Sequence, residues 1–102
     1  MDGTAITTFV AECYWPSVTA SDLPALDRRA RSAAARLRRD GEPVRYVGSL
    51  LMAADEVVLC LFDGPPDAVA RAARGARVPF ERIVSGSHSF GADRARAGDL
   101  PT

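Results

Sequence analysis

Stretches of β-favouring residues and runs of alanine and leucine at helical spacing divide this chain into six elements. Ala5 to Tyr14 is predicted as a first strand, because Thr7, Thr8, Phe9 and Val10 favour extended backbone and Trp15-Pro16 closes the segment. A first helix follows, with Ser21 as its N-cap and Asp22 in its first turn. Leu23, Leu26, Ala30, Ala33, Ala34 and Leu37 form a narrow apolar stripe until Asp40-Gly41 stops the run. Val44 to Met52 and Glu56 to Phe62 read as two strands joined through Ala53-Ala54-Asp55, a hairpin. Gly64-Pro65-Pro66 breaks the chain again. Pro66 suits the first position of a second helix, Asp67 to Ala76, with Ala68, Val69, Ala72, Ala73 and Ala76 as its buried face. Val78-Pro79 ends that helix, and Phe80 to Ser85 is a fourth strand.

The order β-α-β-β-α-β is the split βαβ arrangement of ferredoxin-like α+β domains. It predicts a four-stranded antiparallel sheet with strands 1 and 3 in the centre and both helices on one face. Residues 1–85 form this domain. From Gly86 to residue 102 the chain is rich in Gly, Ser, Ala, Arg and Asp, and it reads as a polar tail. The second sheet face has no helix to cover it. On strand 1, Phe9 and Ala11 suit the helix side, which leaves Thr8, Val10, Glu12 and Tyr14 on the open side. On strand 3, Val57, Leu59 and Leu61 are assigned to the core, and Val58, Cys60 and Phe62 to the open side. That face is too apolar to stay wet, so face-to-face homodimerisation, as in dimeric α+β barrels, is expected.

Composition narrows the setting more than the chemistry. With 102 residues and 47% apolar content there is room for one core, and no apolar run is long enough to span a membrane. The first residues lack the charged and apolar regions of a secretory signal, so a cytoplasmic location is expected, without membrane association. Thirteen basic residues, all arginine, balance thirteen acids, and those on helix 1 are expected to lie toward water with their stems over apolar surface. Strand 3 carries no basic residue, which argues against an RNA-recognition module and against nucleic acid as a partner. The acyl-phosphate hydrolases that resemble this fold rely on an asparagine, and the chain has none. Cys13 and Cys60 form no Cys-x-x-Cys pair, and a disulfide between them is the less favoured reading.

Three segments in combination carry a resemblance. Phe9-Val10-Ala11-Glu12 is followed by Pro16; a hairpin over Tyr46 to Phe62 contains Asp55 and ends in Cys60-Leu61-Phe62; and Gly64-Pro65-Pro66-Asp67-Ala68-Val69 runs on to Val78-Pro79-Phe80-Glu81-Arg82-Ile83-Val84. Together, over residues 5–85, they resemble an uncharacterised bacterial family of ferredoxin-like dimers that includes nickel-binding members from actinobacteria. The resemblance implies a dimer and raises nickel, or another transition metal, as a cofactor. It carries over no complete ligand set, and Cys13 stands where the family pattern has a basic residue.

Glu12 is the most informative single residue, because a carboxylate on an apolar sheet face needs a cation, a proton or a partner. It is a candidate metal ligand and a candidate general base, while an ion pair with Arg45 or with an arginine across a dimer is the plainer explanation. If strands 1 and 3 run parallel, Cys60 lies beside Glu12, and the only histidine, His88, completes a metal set if the tail folds back. Tyr14, Trp15, Tyr46 and Phe62 are candidates to line a ligand pocket, although packing is their commoner use. The leading expectation is a dimeric binding protein for a transition metal or small ligand. Two alternatives stand beside it: a cofactor-independent oxygenase, cyclase or isomerase acting on an aromatic or polyketide-like molecule, with Glu12 or Tyr46 as acid or base, and a purely structural dimer. The pairing of Glu12 with Cys60 depends on strand phase, since a one-residue slip moves a side chain to the other face.

Overall fold

The structure is a computed structural model that describes residues 5–89, with side chains from residue 8 to residue 87. It contains β1 (Ala5–Tyr14), α1 (Leu23–Arg39), β2 (Arg45–Met52), β3 (Val57–Asp63), α2 (Pro66–Gly75) and β4 (Arg82–Ser89). The four strands form one sheet in the order β2-β3-β1-β4, with every neighbouring pair antiparallel. This is the expected ferredoxin-like α+β arrangement. Single 3₁₀ turns at Ala20–Asp22 and Ala53–Asp55 lead into α1 and join β2 to β3. The first turn places the helix start later than Ser21: the backbone N–H of Thr19 donates to Asp22 Oδ2 at 2.8 Å, and α1 begins at Leu23.

The central strands correct two expectations. β1 and β3 run antiparallel, because the α1 crossover returns β2 parallel to β1 and the hairpin then reverses β3. The register pairs Phe9 with Phe62, Ala11 with Cys60 and Cys13 with Val58. Ala11, Cys13, Val58, Cys60 and Phe62 are all buried, so on β3 the even residues face the helices. The phase expected for β1 is correct, and that expected for β3 is inverted. Val57–Asp63 is apolar on both faces until its last residue, so alternation along it carries no phase information.

The sheet also extends further than the sequence indicates. β4 continues to Ser89, pairing Gly86 with Thr8, Ser87 with Thr7, His88 with Ile6 and Ser89 with Ala5. The expected boundary at residue 85 therefore cuts through a strand. Polar composition hid this segment, whereas the ten-residue β1 supplies backbone donors and acceptors that need a partner along its whole length. The rest of the expected tail, 90–102, lies outside the described residues.

Both helices rest on the same face through small side chains. Leu26, Ala30, Ala33 and Ala34 of α1 and Ala68, Val69, Ala72 and Ala73 of α2 are buried there. Alanine holds the helices close to the sheet and to each other, and Phe62, Leu26, Val44, Val58 and Val69 fill most of the remaining volume. Burying Phe62 alone is worth about 2–3 kcal/mol. A polar tie adds direction to this packing. Asp27 on α1 accepts hydrogen bonds from the Tyr46 hydroxyl at 2.5 Å and from Ser49 Oγ at 2.8 Å, fastening the helix to the edge strand β2. Tyr46 also meets Phe62 edge-on, with ring centroids 5.2 Å apart, and lies under the Arg31 guanidinium.

The turn from β3 into α2 depends on a glycine. Gly64 has φ of +140°, and a Cβ there would stand 2.6 Å from the carbonyl oxygen of Pro43. Gly64→Ala is expected to cost about 2–3 kcal/mol in urea denaturation, since both the dihedral and the backbone contact resist a side chain. Tyr46→Phe is expected to cost about 1 kcal/mol in the same measurement, because Asp27 keeps its bond to Ser49 and the ring packing survives.

Candidate functional site

The face opposite the helices is built as rows running across the sheet. Met52, Val57 and Tyr14 form one row; Leu50, Leu59, Glu12 and Arg82 the next; Gly48, Leu61, Val10 and Val84 the third. No helix covers these rows, and among the described residues Val47 (56%), Leu50 (54%), Tyr14 (51%) and Met52 (42%) are the large apolar side chains left exposed. Val47 reaches this face by ordinary alternation from the inward Tyr46, and an irregularity in the β2–β3 register between Tyr46 and Gly48 then shifts the phase, so that Gly48, Leu50 and Met52 face outward as well. The bulge is what lets Tyr46 point into the core while Leu50, an even number of residues further on, points outward. Thr8, Val10, Val47, Leu61, Gly86 and Ser87 line a hollow of about 240 Å³ on the same face. The Thr8 hydroxyl, which donates to Asp63 Oδ1 at 2.9 Å, adds a polar group at its edge.

Glu12 lies in the middle of this surface, as expected, but with a different partner. Arg82 on β4 is directly opposite it and donates from Nε to Glu12 Oε1 at 2.7 Å, so Arg45 is not the partner within this chain. The carboxylate is thus balanced without a metal or a second protomer.

The structure separates Glu12 from Cys60. Glu12 is opposite Leu59, whereas Cys60 is opposite Ala11 on the helix side and is completely buried. There it neighbours Cys13, and both thiols are free. Hydrogen bonding with Cys13, together with burial, pushes the Cys60 thiol far up and keeps it protonated, which disfavours a thiolate ligand. His88 belongs to β4 at the backbone level, opposite Ile6, and its side chain lies outside the described residues. Glu12 and Cys60 therefore form no common metal site, and among the described residues no three His, Cys, Asp or Glu side chains converge to hold a metal.

The four aromatic candidates are also divided. Tyr14 is on the open face at the rim, where its hydroxyl donates to Glu56 Oε1 at 3.3 Å. Trp15 packs against the core just beyond β1, and its backbone N–H donates to the Glu56 carbonyl at 2.8 Å. Tyr46 and Phe62 belong to the helix-side core. Burial, with the bond to Asp27, pushes the Tyr46 phenol well above its ordinary range, so it serves as a structural donor. The open-face residues that sequence reasoning missed are Val47, Leu50, Met52, Val57, Leu59 and Leu61. Leu50-Leu51-Met52 is apolar throughout, so alternation in the sequence did not separate the faces there, whereas Gly48 within a strand was a sign of the bulge.

No family model and no curated protein matches this sequence. The chain is similar to a protein of Streptomyces coelicolor A3(2) whose crystal structure is known, at 21% sequence identity and a TM-score of 0.54. The match covers 81% of this chain and 94% of that one. A likeness at this distance bears on architecture, and together with the strand order and the two helices on one face it establishes the ferredoxin-like α+β fold.

Proposed function

We propose that this chain is a homodimeric binding protein in which two copies close their open sheet faces on each other and hold a small, mainly apolar molecule between them. The observation that carries this reading is the position of Tyr14, Val47, Leu50 and Met52, large apolar side chains exposed together on the one face that no helix covers. An apolar surface of this kind, rimmed by polar residues, is the usual mark of an interface or a ligand groove. The Glu12–Arg82 pair supports it, because a central charge already neutralised within the chain does not repel its own symmetry copy. The hollow beside Val10 and Leu61 offers space for a ligand, and Thr8 and Ser87 offer a few polar groups to orient it.

A transition metal, nickel included, fits this surface less well, since Cys60 is on the far side and Glu12 is occupied by Arg82. The enzyme reading fares similarly, because Tyr46 is on the helix side with a phenol that holds its proton. The free, buried thiols of Cys13 and Cys60 suit a reducing compartment such as the cytoplasm.

Sedimentation and native mass spectrometry test the proposal together. The parent protein should be a dimer at micromolar concentration and should carry added organic mass when isolated gently. Leu61→Glu should weaken the dimer by about 100-fold or more without lowering helix content, as two like charges would meet in a desolvated centre. A parent that stays monomeric at about 100 μM would refute the face-to-face dimer. Stoichiometric nickel in place of an organic adduct would return the metal reading to first place.

A further inference from the structure

We infer that the cleft between α1 and the C-terminal turn of α2 is a binding site for a small molecule bearing phosphate groups, with Arg28, Arg36 and Arg77 as its anion ligands. The cleft encloses about 330 Å³ on the helix layer, away from the open sheet face, and is lined by Arg28, Arg29, Ser32, Arg36 and Arg77 over a floor of Ala33, Gly75 and Ala76. Its lining contains no acidic side chain. An adjoining depression is lined by Arg28, Arg31, Ser32 and Ala35, so the basic surface continues along α1.

The shape follows from helix geometry. Arg28, Ser32 and Arg36 are spaced by four residues and form one ridge about 12 Å long. The floor is low because α1 and α2 approach through Ala33 and Gly75, where even an added Cβ would only touch at 3.8 Å. Long cationic walls over a floor of small residues leave a recess in which several guanidinium groups can reach one anion. Planar guanidinium groups pair with carboxylate and phosphate oxygens alike through two parallel hydrogen bonds, but several of them around one anion call for more oxygens and more charge than a halide or a single carboxylate offers, which phosphate groups supply.

Among the described residues, structural duty accounts for one of these arginines. Arg29 Nε donates to the carbonyl oxygen of Ala76 at 2.9 Å and so caps the C-terminal end of α2. The two ion pairs between described residues, Arg71 with Glu42 and Arg82 with Glu12, leave the cleft out. Arg77 carries the argument furthest. It has φ of +60°, and the N–H of the following Val78 bonds back to the carbonyl of Ala73, the closing pattern in which glycine normally holds the left-handed position. This chain accepts the backbone cost of a branched-off side chain there and gains a fourth guanidinium in the cleft. The whole chain has no net charge, so the local excess of positive charge is not a by-product of a basic protein.

Inorganic pyrophosphate is the probe, titrated calorimetrically into the full chain at moderate salt, with Arg77→Gly and Arg36→Ala as the variants. One pyrophosphate should bind per chain with Kd below about 1 mM, and each variant should weaken binding about tenfold. Arg77→Gly should also leave the thermal midpoint unchanged or raised, because glycine relieves the left-handed backbone; a merely structural arginine would not lose binding while the fold holds. The inference is overturned if pyrophosphate binds no more tightly than that, or if both folded variants bind it as well as the parent does. It is equally overturned if a single-stranded oligonucleotide binds more tightly than pyrophosphate and loses affinity in the same variants, which would assign the cleft to a nucleic acid backbone. Because the cleft is on the helix layer, Leu61→Glu should leave pyrophosphate binding intact, which separates this result from the fate of the sheet-face dimer.

Discussion

Ala11 and Cys13 on β1, with Val58, Cys60 and Phe62 on β3, form the floor on which both helices rest, and their burial fixes the phase of the two central strands. Because side chains alternate across a strand, that floor dictates the opposite surface residue by residue. Glu12 is outward because Ala11 and Cys13 are inward, and Leu59 and Leu61 are outward because Cys60 is inward. The alanine faces of α1 and α2 make the arrangement possible, since larger residues at Ala30, Ala33, Ala72 or Ala73 would hold the helices off the sheet.

Two helices cover one face of a four-stranded sheet and leave the other to find its own solution. Here the central row is closed by charge, with Glu12 and Arg82 paired across β1 and β4, while the rows on either side remain apolar. The bulge at Tyr46–Gly48 serves both faces at once. It keeps Tyr46 inward, bonded to Asp27, and turns Leu50 and Met52 to the outer surface, so the same irregularity that anchors α1 to β2 enlarges the open apolar surface.

The outer surface of the helix layer obeys a different rule. Its arginines stand over small residues, and the space left between α1 and α2 becomes a recess instead of a filled interface. The molecule therefore presents an apolar sheet on one side and a cationic cleft on the other, each built from the unburied remainder of the same packing.

The sequence by itself determined the six elements, their order and the phase of β1, because each of these depends on local pattern: breakers at Pro16, Gly41, Gly64 and Pro79, alanine at helical spacing, and polar Thr8 and Glu12 alternating with Phe9 and Ala11. Only the tertiary structure decided the phase of β3, the partner of Glu12 and the reach of β4. Val57–Asp63 is apolar on both faces until its last residue, so its orientation comes from packing against β1 and the helices. Arg82 is seventy positions from Glu12 and meets it only through the β1–β4 register. Gly86–Ser89 has no strand-like composition and is extended because β1 offers it an unpaired edge. Local pattern reports what a segment prefers, whereas these three features were set by which neighbours the sheet supplied.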